Sequence, residues 1–137
     1  MKKEITQKIN RCKALQGKTI DDLCNTEEFR ANMSAYLEAQ KQDREAIQSS
    51  YAAMRKLGGA KGYKLPAHVI DRVKDLSVPM FIAEFVAVIH GASKRTSAER
   101  QYIRQLGMQA FNKTVAEFVV AEFPELADEL LPKAIQN

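Results

Sequence analysis

The sequence predicts an all-α protein, a single compact helical bundle of six to eight helices with residues 1–137 as one domain. Three observations carry this expectation. Apolar residues recur at three- and four-residue spacings, no stretch alternates as a half-buried strand does, and capping residues mark where the helical patterns begin and end. With 137 residues, 45% of them hydrophobic and 28% charged, the chain can bury a sizeable core without disulfide or metal staples.

The first pattern, residues 3–16, places Ile5, Ile9 and Cys12 on one face, and Gly17 is expected to end it. Thr19 is suited to cap a short turn from Ile20 to Cys24, with Ile20, Leu23 and Cys24 turned inward. Asn25 or Thr26 then opens a long pattern from Glu27 to Leu57, with Glu27 and Glu28 in the first turn, where the helix dipole favours acids. Phe29, Met33, Tyr36, Leu37, Ile47, Tyr51 and Met54 hold one face of it, and Gln40, Asp43 and Arg44 form a polar waist. That waist makes a poor coiled-coil seam and reads as a solvated stretch of a core-packed helix.

Gly58 and Gly59 stop this helix, and Pro66 starts the next, which runs to about Leu76 with Val69, Ile70, Val73 and Leu76 at core spacing. The bundle is expected to form around the segment that follows, residues 79–90. Pro79 suits a first turn and Gly91 suits the residue just past the end. Phe81, Phe85, Ile89, Ile82 and Val86 fall within an arc of about 140°, and burying each contributes roughly 1.5–3 kcal/mol before entropy is subtracted. Glu84 interrupts the run, which is in any case too short to span a bilayer; it is expected at the rim of the core, paired with an arginine.

Thr96 and Glu99 form a capping box that opens the last long pattern, Ser97 to Phe123. Its first half sets Tyr102, Ile103, Leu106 and Ala110 on one face. Its second half sets Phe111, Val115, Phe118 and Val119 on a face rotated by about 140°. A continuous helix would bury two different sides, so a break at Asn112-Lys113 is expected, with Thr114 and Glu117 as a second capping box. Pro124 then begins a short acidic helix, and Pro132 ends regular structure.

Charge is unevenly placed. Residues 1–53 carry 9 basic and 8 acidic side chains, residues 54–113 carry 11 and 4, and residues 114–137 carry 1 and 5. A basic middle raises the odds of an anionic partner. No apolar stretch follows the basic Met1–Lys3, so no signal peptide is expected, and the protein is placed in the cytoplasm, with no membrane partner. Cys12 and Cys24 fit small buried hydrophobes better than a disulfide framework.

No catalytic motif stands out. His68 and His90 belong to no zinc-binding pattern, so neither a metal nor a cofactor is expected, and His90 reads as a residue at a helix end. The loop GGAKGYK lacks the GxxxxGK[ST] of a phosphate-binding loop, but Lys61 and Lys64 beside Tyr63 suit a nucleic-acid backbone. A second surface runs through Lys94, Arg95, Arg100 and Arg104 into Met108 and Phe111, a basic stripe leading to apolar residues. The expected function is therefore a non-catalytic interaction or assembly protein, docking onto protein partners or copies of itself as a small subunit of a larger particle. The alternative is nucleic-acid binding through the basic middle segment, residues 54–113.

Overall fold

The structure, a computed structural model, describes residues 2–40, 67–73 and 75–131. Among them every regular element is helical: α1 (Lys2–Arg11), α2 (Ile20–Cys24), α3 (Glu27–Gln40), α4 (Ala67–Val73), α5 (Val78–Ile89), α6 (Ser97–Glu122) and α7 (Ala127–Leu130), with a single 3-10 turn, Pro124–Leu126, before α7. The fold is all-α, as the periodicity requires. No described helix is long and apolar enough to cross a membrane. The expected continuation of α3 to Leu57 and the glycine loop with Lys61 and Lys64 lie outside the described residues.

The chain divides into two compact units, one of Met1–Asn32 with Ala110–Asn137, the other of Met33–Gln109. In the first unit, α1 ends at Arg11, five residues earlier than its apolar spacing suggested. The reason is a carboxylate. Glu122 accepts hydrogen bonds from the Lys13 and Ala14 amides at 2.9 and 3.0 Å, which draws the chain into a turn closed by Gly17 at φ +70°. Those amides hold the Glu122 carboxyl below the ordinary carboxylate range. Cys12, Val119 and Leu126 are buried together, with Ile5, Ile9, Leu15 and Phe123 packed around them.

Thr19 caps α2 and shares a full capping box with Asp22. Leu23 and Cys24 are buried, but Ile20 is 43% exposed. A five-residue helix has room for one inward turn, and Ile20 stands at its outer end. Thr26 rather than Asn25 caps α3, its hydroxyl accepting from the Phe29 amide at 3.1 Å. Both cysteines are buried and unbridged; burial, with Asp21 nearby, pushes the Cys24 thiol up to about 11.

The second unit is built on α5. Phe81 and Phe85 are fully buried, while Ile82, Val86 and Ile89 are half-buried. Met33 and Leu37 of α3, Val69, Ile70 and Val73 of α4 and Tyr102, Ile103 and Leu106 of α6 are buried in the same unit. The Ser77 hydroxyl caps α5 by accepting from the Met80 amide, with Pro79 in the first turn. At the other end Gly91 adopts φ +71°, the Ala92 amide donates to Ala87 and the Gly91 amide to Val88. This pair of bonds is the Schellman closure, and it takes up carbonyls the helix would leave unpaired. Gly107 matters for a different reason. A Cβ there would lie 2.2 Å from the Phe85 ring, so α6 can carry the core over that phenylalanine only without a side chain at this position.

The expected break in the last long pattern is overturned: α6 runs unbroken from Ser97 to Glu122. Thr114 does not cap a new helix. Its hydroxyl donates back to the Ala110 carbonyl at 2.8 Å and accepts from the Asn32 amide at 3.0 Å, and Glu117 accepts from the same Asn32 group. The residues that mimic a capping box are thus engaged with α3. The change of buried face falls near Ala110, where α6 passes from the second unit to the first, so each half presents the side its own unit requires.

Candidate anion-binding cleft

The surface of the second unit carries a cleft of about 630 Å3 between the C-terminal turn of α5 and the first turns of α6. Val88 and Gly91 come from the α5 turn, Ser93 from the connecting loop, and Ser97, Arg100, Gln101, Arg104 and Gln105 from α6. The α6 residues share a face because of helical spacing. Positions 97, 101 and 105 form one row and 100 and 104 the next, on the side away from buried Ile103 and Leu106.

Behind the cleft, an ion network fixes the loop that joins the two helices. Arg95 donates from Nε to Glu84 at 2.8 Å and from Nη1 to Glu99 at 3.0 Å. Glu99, only 1% exposed, also accepts from the Thr96 hydroxyl and from Arg72 at 3.3 Å. Burial alone would raise the Glu99 carboxyl. The hydrogen bonds from Arg95 and Thr96 and the charges of Arg72 and Arg95 outweigh it and hold the group below its ordinary range. Arg95 is held above the ordinary arginine value, first by its bond to Glu84 and further by Glu99, against the opposing effect of burial. The arginine partner expected for Glu84 is present, and it is Arg95.

Two arginines thus balance two carboxylates, and Arg100 and Arg104 are left without an ion pair among the described residues. Arg100 donates from Nη1 to the Arg95 carbonyl, which holds its guanidinium against the cleft wall. Ser93 accepts from the Arg95 amide at 3.2 Å. Among the described residues no acidic side chain lines the cleft. Its chemistry is that of a donor-rich anion site, in which guanidinium groups can bind anionic oxygens in paired fashion.

The expected surface is only partly assembled. Arg100 and Arg104 come together in the cleft, and Lys94 is exposed in the adjoining loop. Arg95 is taken up by its two carboxylates. Met108 is half-buried. Phe111, which the sequence placed both on the apolar face of the second half and at the end of the basic stripe, is half-buried in the first unit with its ring edge-on to Phe29, centroids 6.4 Å apart. Ser93, Ser97, Gln101 and Gln105 were not singled out from the sequence. The i, i+4 rows beside Arg100 and Arg104 were the available signal for the α6 members. Among the described residues, no three His, Cys, Asp or Glu side chains gather where a metal ion could be held.

No protein-family model, curated protein or solved structure matches the chain.

Proposed function

We propose that this chain is a non-catalytic nucleic-acid-binding protein that holds backbone phosphates in the α6 cleft. The observation that carries the reading is the pair of arginines one helical turn apart that, among the described residues, have no ion pair and share a cleft without acidic lining. The charge excess of residues 54–113 supports it, because positive potential concentrated in one segment draws a polyanion in. Backbone contacts of this kind give affinity without demanding sequence.

A gel shift at low salt with the wild type and with Arg100→Glu/Arg104→Glu tests it. The wild type is expected to retard nucleic acid and the double variant to lose that ability; equal retardation by both removes the proposal. Docking onto protein partners or further copies of the chain has less behind it. Among the described residues the large hydrophobics left exposed are Ile20 and Met80, while Met108 and Phe111 are half-buried. Light scattering at micromolar concentration reads that alternative directly.

A further inference from the structure

Resting on the nucleic-acid reading above, we infer that the cleft takes a single strand, bound through neighbouring phosphates, in preference to a duplex. The cleft is concave and small, about 630 Å3, within the range that holds one compact ligand and far short of a double helix. Arg100 is half-buried, and its bond to the Arg95 carbonyl keeps its guanidinium at the wall. Swinging out to meet a phosphate on the rim would cost it that bond. A phosphate has to come in.

That requirement separates the two forms of nucleic acid. A duplex is stiff over a length of about 50 nm and carries its phosphates on the outside of a wide cylinder, so it could reach exposed Arg104 but not both arginines together. A single strand turns freely at each backbone bond and can feed one phosphate inward while the next stays at the rim. Arg100 and Arg104 stand about 6 Å apart along the helix axis, a separation that adjacent phosphates of an extended strand can match. Ser93, Ser97 and Gln105 add neutral donors around them. Among the described residues no aromatic side chain lines the cleft, and none there offers bases a stacking platform. Affinity then comes from the phosphates, is steeply salt-dependent, and is indifferent to base identity.

Fluorescence anisotropy with the full chain tests this, using a short labelled oligothymidylate, a duplex of equal length, and unlabelled thymidine monophosphate as competitor. At about 50 mM salt the strand is expected to bind roughly tenfold more tightly than the duplex. Two phosphate contacts predict a slope of log affinity against log salt of about −1.4 from this site, and Arg100→Gln/Arg104→Gln is expected to remove that share. Arg104→Gln alone, at an exposed position, is expected to remove about half of it and serves if the double variant fails to fold. A duplex that binds as tightly as the strand, still through both arginines, overturns the inference and leaves the nucleic-acid reading standing. Full displacement of the strand by an equal concentration of the mononucleotide overturns it too. If neither strand nor duplex binds at low salt, both readings fall.

Discussion

Gly107 shows how much a single missing side chain can decide. In a solvent-exposed helix, replacing glycine with alanine gains about 1 kcal/mol in helix propensity. Here the added Cβ would meet Phe85 Cδ1 at 2.2 Å and Cε1 at 2.5 Å, and Phe85 is fully buried with little room to retreat. Overpacking of this kind costs about 1–3 kcal/mol, sometimes more, so the clash outweighs the propensity gain. Gly107→Ala is expected to lower stability by about 1–2 kcal/mol in urea unfolding. Adding Phe85→Leu, which opens space at the contact, should cost less than the two single changes summed. Strict additivity would mean the two positions do not press on one another.

The helix α6 sets the argument at the scale of elements. Its apolar pattern changes sides midway, and the sequence offered Thr114 and Glu117 as the start of a second helix. The helix runs on, and Asn32 takes up both residues through its side-chain amide while the Thr114 hydroxyl bonds back to Ala110. Lys113→Pro is therefore expected to cost about 3 kcal/mol or more, because it removes an internal hydrogen bond and forces a kink. A helix truly broken at that point would tolerate proline, and an unchanged thermal transition would restore the two-helix reading. Asn32→Ala strips a buried partner from Thr114, which is fully buried, and is expected to lose about 1–3 kcal/mol. Asn32→Leu/Thr114→Val, which removes both members of the buried pair and leaves only part-buried Glu117 without that donor, should cost less in the same chemical denaturation.

Across the whole molecule, acid is the shared weak point. Glu122 and Asp22 in the first unit and Glu99 in the second are all held below their ordinary values when folded. A carboxyl whose folded pKa is depressed contributes stability that is fully present above its unfolded value and lost as pH falls through the folded one. For Glu99 and Glu122 the unfolded reference is 4.5. Stability is therefore expected to hold from neutral pH to about pH 5 and to decline as the pH falls further, through the lowered folded values. Thermal unfolding across that range at fixed ionic strength reads it. Glu99→Gln should start less stable and lose less on acidification, since its network no longer depends on an ionised group. A melting temperature that rises as the pH drops would sink this account.

Much of this protein follows from the sequence alone because its signals are local. Apolar spacing and caps such as Thr19, Thr96 and Gly91 act within a turn or two, and the chain carries them in plain order. They led to an all-α fold, to Phe81 and Phe85 as core residues and to an arginine partner for Glu84. Tertiary structure decided what depends on residues far apart in the chain. Asn32 meets Thr114 across 82 positions, and Glu122 reaches back across 109 to end α1 early. Of the arginines on the basic stripe, Arg95 alone is engaged by carboxylates among the described residues. A side chain's partners depend on which distant groups burial brings within hydrogen-bond reach, and no periodicity records that.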